Sequence, residues 1–328
     1  MSDGIRDPGA AGPTLVEPDP LHAAPNAGEP NVIQYEGTLY RPPSEANSLI
    51  LQATIGCSYN RCTFCAMYRE KSFRVRPIAE LADEIERVAR AVARGAAPEV
   101  TKVFLADGDA LVAKARFLED LLARLNAAFP KLRRISCYAS PQSLQVRKPE
   151  ELVRLREAGL TQLYLGVESG SDPVLKSLDK GVDAEEMIRV ANKASAAGMK
   201  LSTMVLLGAG GRAGSHEHAL MSAAVINRIQ PRFASVLVMT PVEGTPLMES
   251  AERGEVDELS PVELAQELRT FLAATDLRGT IFRSNHASNY LALKGTLPKD
   301  RDALVGVLDR VLEDPSRAAF VPDSLRAL

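Results

Sequence analysis

Six short apolar runs alternate with amphipathic helical patterns along the middle of this chain, and no other feature limits its fold so strongly. The runs read as strands at Leu49–Ile55, Val103–Ala106, Ile135–Ala139, Leu163–Val167, Leu201–Leu207 and Ser235–Met239. Helical spacing fills the intervals at Ala79–Arg94, Ala113–Phe129, Pro149–Ala158, Ala184–Ala197 and Ser215–Ile229, with another helix near Pro261–Thr275. Gly95, Gly159 and Gly198 end three of these as helix stops. Such alternation builds βαβ units with right-handed crossovers around a parallel sheet. An open doubly wound sheet and a partial barrel both satisfy the pattern.

The positions of the unusual residues favour the barrel. Polar or glycine-rich clusters follow successive strands: Gly56-Cys57, Asp107-Gly108-Asp109, Ser140-Pro141-Gln142, Glu168-Ser169-Gly170, Gly208–Gly211 and Thr240-Pro241. All sit at C-terminal strand ends, where parallel α/β folds build their sites. Loops converging on one ligand suit a curved sheet, so the expected fold is α/β, a partial (βα)6 TIM-like barrel over 49–275. Residues 1–30, with six prolines and four glycines, read as a flexible tail. Residues 31–48 read as an extended segment, and 276–328, with a helix at Arg301–Glu313, as a short C-terminal extension.

Composition closes off several function classes. Apolar residues make up 45% of the 328 and charged residues 25%, which supports a sizeable core. The 39 basic and 42 acidic side chains leave a net charge of −3, too balanced for a general nucleic-acid or membrane binder. No apolar run approaches the roughly 18 residues of a membrane span, and the start lacks a signal-peptide pattern. The expected location is the cytoplasm, with no membrane partner and nucleic acid disfavoured.

Three of the four cysteines crowd into one segment: Cys57, then four residues, Cys62, then two, and Cys65. A disulfide framework needs a dispersed, even set, so clustering here points to metal ligation. Zinc is the rival, but a structural zinc site takes four protein ligands, usually two separated pairs, and no C-x-x-C or H-x-x-x-H partner appears elsewhere. Cys137, inside the third strand, reads as a small core hydrophobe. Ferredoxin-type carriers complete their clusters with four cysteines. Three would leave one iron of a [4Fe–4S] cluster open, as a catalytic centre requires.

The triad, with Phe64 just before its last cysteine, resembles the radical S-adenosylmethionine (radical SAM) superfamily, in the variant spacing C-x4-C-x2-C. The resemblance extends over about residues 49–275. It implies that Cys57, Cys62 and Cys65 hold a [4Fe–4S] cluster and that S-adenosylmethionine chelates the remaining iron. Asp107-Gly108-Asp109 stands where the family places a segment that meets the methionine ammonium. Leu165–Asp172 is similar to the fourth-strand motif, making Glu168 and Ser169 ribose neighbours. Gly208 and Met239 match positions beside adenine, and Ser140 and Gln142 flank methionine or ribose. One-electron cleavage to a 5′-deoxyadenosyl radical and hydrogen abstraction from a small molecule are the implied activity, with flavodoxin or ferredoxin as electron donor. A peptide- or tRNA-modifying relative and a non-catalytic iron–sulfur or SAM-binding protein are the alternatives.

Other polar residues divide between readings. Asn285, His286 and Asn289 supply hydrogen bonds or a proton relay at the barrel mouth, or else form a turn. Arg74 and Arg76 either face an anion or form a solvated loop, and Asp107 or Asp109 could cap a helix. His216 and His218, at the start of a helical pattern, are expected on the surface.

Overall fold

The computed structural model of the chain describes residues 33–326, so the expected tail at 1–30 lies outside the described residues. The chain runs through β1 (Leu49–Gln52), β2 (Thr54–Ile55), β3 (Arg74–Val75), α1 (Ile78–Ala93), β4 (Lys102–Ala106), α2 (Ala115–Ala128) and β5 (Arg134–Ala139). It continues through α3 (Pro141–Val146), α4 (Pro149–Glu157), β6 (Leu160–Glu168), α5 (Asp172–Ser177), α6 (Ala184–Ala196), β7 (Lys200–Leu207) and α7 (Gly211–Ile229). The last elements are β8 (Phe233–Val238), α8 (Pro246–Glu252), α9 (Pro261–Ala273), β9 (Thr280–Arg283), β10 (Lys294–Leu297) and α10 (Arg301–Glu313).

Eight strands form one sheet in the order β1-β4-β5-β6-β7-β8-β9-β10. The pairs from β1 to β9 are parallel, and β10 returns antiparallel beside β9. Sequential neighbours and helical crossovers are the signature of a partial barrel, whose edge strands β1 and β10 are not paired to each other. Period-two alternation divides the strand residues. Val103, Leu105, Cys137, Leu163, Leu165, Leu201, Val236 and Phe282 join the large core under the helices. Each buried Leu or Val there contributes about 1.5–3 kcal/mol. The opposite, concave face carries a smaller cluster of Ile50, Phe104, Ala106 and Tyr164, with Tyr138 and Met204 beside it.

Two departures from the sequence reading matter, and one placement that it left open. The first expected strand breaks at Ala53, and its last two residues pair antiparallel with β3 in a separate ribbon. That break releases the chain from the sheet just before Cys57. The C-terminal extension supplies β9 and β10, four residues each, too short to show a hydrophobic period. The segment before β1 lies on the concave face: Tyr35 and Leu39 pack on the smaller cluster, and Ser44 Oγ meets Tyr164 Oη at 2.7 Å. No helix among the described residues is long and apolar enough to cross a membrane.

Candidate active site at the strand ends

Gly56 leaves β2 with φ +76°, a left-handed turn that glycine adopts without strain. Its amide donates to Asp107 Oδ2 at 3.1 Å, and Gly108 N returns a bond to Gly56 O at 3.1 Å. Asp107 also receives Lys71 Nζ at 2.8 Å and is fully buried. Gly108 is required by close approach. A Cβ there would lie 2.8 Å from Cys57 Cβ and 2.7 Å from the Tyr68 ring.

The rest of the cysteine loop is fastened from two sides. Arg69 donates from Nε to Cys65 O at 2.9 Å and from Nη2 to Cys62 O at 2.7 Å, holding the two turns together. Thr63 N donates to Leu178 O at 3.0 Å, and Leu247 N donates to Thr63 O at 3.0 Å, docking the loop on the segment after α5 and on α8. Ser58 Oγ donates to Asp109 Oδ2 at 2.6 Å, and Ser140 N and Oγ reach the same carboxylate at 3.2 and 2.7 Å. Burial pushes Asp109 up from the usual carboxylate range, and the Ser58 and Ser140 hydroxyls draw it back.

Cys57, Cys62 and Cys65 are free thiols, each partly exposed, whereas free Cys137 is buried under the helices. Burial pushes all three loop thiols up, Cys65 to about 11, where the charges of Cys62 and Cys57 add to the effect. Backbone amides of Asn60 and Tyr59 act oppositely on Cys57, and that of Met67 on Cys65. The three sulfurs therefore share one field, with N–H donors that favour thiolates. Among the described residues no three His, Cys, Asp or Glu side chains group as a single-ion site.

Glu168 ends β6 at φ +63°, an uncommon conformation for a residue with a side chain. Its Oε1 receives Lys180 Nζ at 2.8 Å, with both side chains 9% exposed. Burial alone would lower the ammonium, but Glu168 and then Cys62 raise Lys180 overall. Gln142 Nε2 donates to Lys180 O at 2.7 Å. Two bonded groups result: Asp109 joins the cysteine loop at Ser58 to Ser140, and Lys180 joins Glu168 to Gln142. Ser169 Oγ accepts from Ser171 N at 2.9 Å, bracing the turn that follows. Phe64 is half-buried between its flanking cysteines.

Gly208 and Met239 form a second patch, lining a cleft with Thr240, Tyr290 and Arg326. Gly208 N donates to Glu267 Oε1 at 2.8 Å, and His218 Nδ1 lies 3.2 Å from that oxygen. His218 is therefore buried, against expectation, because α9 brings a carboxylate over α7, while His216 is exposed. Arg74 pairs with Glu36, and Arg76 pairs with Glu84 at 2.8 Å, so the protein's own carboxylates take both. Asn285 is exposed. Asn289 Nδ2 donates to Val236 O and Ser284 O at 2.7 and 2.9 Å, tying the β9–β10 turn to β8. His286 Nδ1 meets Ser288 Oγ at 2.8 Å, and burial holds the imidazole down at about 4. Among the described residues these three make no hydrogen bond to the cysteine loop or to Glu168.

Sequence reasoning missed Lys180 and Arg69. Arg69 stands four residues after Cys65, a spacing that could have flagged it, whereas only the fold brings Lys180 to Glu168.

This is a mostly parallel α/β fold with three free thiols on the loop that follows β2. Residues 51–212 match the family model described as the radical SAM superfamily. The chain belongs to that superfamily and is an enzyme of its class, and the family implies a [4Fe–4S] cluster and S-adenosylmethionine. Similar solved structures include methylornithine synthase, 18% identical over 82% of this chain and 81% of that one, with a TM-score of 0.50. Another is coproporphyrinogen III oxidase from Escherichia coli, a radical SAM enzyme, 20% identical over 69% of this chain and 52% of that one, TM-score 0.51. A third is the radical SAM methyltransferase TsrM from Kitasatospora setae with cobalamin and a [4Fe–4S] cluster bound, 18% identical over 73% and 46%, TM-score 0.50. These likenesses are of fold, and the chain spans only about half the length of the last two. No curated protein matches the sequence.

Proposed function

We propose that Cys57, Cys62 and Cys65 hold a [4Fe–4S] cluster with one iron open to S-adenosylmethionine, and that the enzyme abstracts hydrogen from a small-molecule substrate. The observation that carries this reading is three free, partly exposed thiols within nine residues, on a loop that Arg69 and the Thr63 backbone bonds fasten from two sides. Bound together, the cluster and SAM supply one-electron cleavage to methionine and a 5′-deoxyadenosyl radical, the electron coming from reduced flavodoxin or ferredoxin.

The chain's own residues then bind and orient. Gly108 lets its backbone pack directly against Cys57 and the Tyr68 ring, which fixes where the first thiol stands. Glu168 keeps Oε2 without a hydrogen-bond partner among the described residues, and a carboxylate accepts from a ribose diol. Lys180 fixes its rotamer and places positive charge near Cys62. Asp109 holds Ser58 and Ser140 on either side of the same space, beside Gln142. Gly208 and Met239 form the side suited to adenine. Asn285 and His286 remain substrate-side candidates, while Asn289 serves the turn.

Anaerobic reconstitution with iron and sulfide, followed by SAM and dithionite, tests the assignment. The wild-type protein should show a band near ~400 nm from thiolate-to-iron transitions and release 5′-deoxyadenosine. Cys62→Ala should lose both, and Cys137→Ala neither. A colourless zinc protein, or a full cluster that binds SAM without cleaving it, would overturn the reading.

A further inference from the structure

Phe282 belongs to the core under the helices, so strand alternation turns its neighbour Arg283 to the concave face. The register places Arg283 in one row with Ser235, Met204 and Gly166. Three strand spacings separate the backbones at the ends of that row, about 14 Å. At the far end, a Cβ on Gly166 would run into the Glu168 carboxylate and come within 3.0 Å of Lys180 Nζ. The row therefore leads from the Glu168–Lys180 pair across to a guanidinium.

Charge matching on this side of the sheet is incomplete. Glu45 is paired with Arg134, Asp107 with Lys71 and Glu168 with Lys180, each at 2.8 Å. Asp109 is taken up by Ser58 and Ser140. Arg283 donates only to the carbonyl of Phe282, at 2.7 Å, and makes no ion pair among the described residues. The residue opposite it on β10 is Lys294, another cation. Arg41 lies on the segment that Leu39 and Ser44 hold against the concave face. Its Nη1 is sealed from solvent with no hydrogen-bond partner. A buried donor left unpaired costs about 1–3 kcal/mol, more for a charged group, and such an orphan calls for a partner.

We propose that the concave face binds an oxyanion group of the substrate, carboxylate or phosphate, held by Arg283, with Arg41 as a second unmatched donor on the same face. The inference rests on the reading above, that a small molecule occupies the barrel beside SAM. The guanidinium fork matches both oxyanions in two-point hydrogen bonds. Anchored at this end, a substrate extends along the Ser235–Met204 row towards Glu168. Neutral isosteres leave the guanidinium donors unpaired and are rejected.

The test is calorimetric titration of the reconstituted, SAM-bound protein with succinate, L-glutamate and glycerol 3-phosphate, against succinamide and glycerol as neutral matches. At least one anion should bind, and whether it is a carboxylate or the phosphate ester identifies the class. Arg283→Met and Arg41→Met should each weaken that binding at least tenfold while leaving SAM affinity unchanged. Equal binding of the neutral matches, affinity untouched by both substitutions, or no binding by any anion would overturn the proposal. Release of 5′-deoxyadenosine without substrate is measured in parallel. If that release persists while anions fail to bind, only this inference falls; if release fails, the radical reading itself does.

Discussion

Strand β6 relates to two buried carboxylates that differ in how completely the protein satisfies them. Glu45, beneath Tyr164, accepts from Tyr164 Oη and Ser48 Oγ at 2.5 Å, from Arg134 at 2.8 Å and from Ser136 Oγ at 2.9 Å. Glu168, four residues along the strand at its C-terminal end, has Lys180 as its one side-chain partner among the described residues. The first sits where short polar side chains surround it, and it joins the segment before β1 to the sheet. The second is held at φ +63°, a conformation costing about 1–2 kcal/mol, with an oxygen still able to accept. Saturation marks a structural carboxylate. Strain with spare hydrogen-bonding capacity is what a ligand-binding carboxylate needs, the role proposed for Glu168.

Three perturbations sharpen that contrast, taken from the largest effect down. Glu45→Ala should lower the unfolding free energy by about 3–5 kcal/mol, because it strands Arg134 and three hydroxyls. Urea denaturation measures this, and SAM cleavage per folded, cluster-loaded molecule should stay at the wild-type level.

Acidification probes the β9–β10 turn. His286 is held at about 4 by burial, below its ordinary value of 6.5. The unfolded chain therefore binds the extra proton first, so stability is fully present above pH 6.5 and falls as pH drops towards 4. The loss reaches about 3 kcal/mol. His286→Gln should flatten that part of the pH–stability curve. A slope unchanged by the substitution would place the acid sensitivity elsewhere.

Glu168→Gln should weaken SAM binding about 10- to 100-fold, the worth of one hydrogen bond to a charged group. Equilibrium dialysis of the reconstituted protein reads it, with iron content unchanged. An effect confined to stability would move Glu168 into the same class as Glu45.

How much of this was legible beforehand depended on range along the chain. The cysteine loop was readable because its chemistry lies within nine consecutive residues, and Cys137 because an apolar strand surrounds it. Strand ends at Gly56, Asp107, Ser140 and Glu168 were readable from the break between period-two runs and glycine or polar clusters. His218 was misplaced because its partner Glu267 lies 49 residues away on α9. Strand β9 escaped notice because four residues cannot establish a period, yet it carries Arg283 onto the concave face.

Local order along the chain thus determined the alternating architecture, the strand-end location of the site and the thiol set. Tertiary structure alone decided which charges are matched: Lys180 with Glu168, Lys71 with Asp107, and neither Arg41 nor Arg283 with any carboxylate among the described residues. The physical reason is range. Propensity and periodicity act between neighbours, whereas pairing a buried charge depends on which distant strand, helix or turn the fold brings within hydrogen-bonding reach.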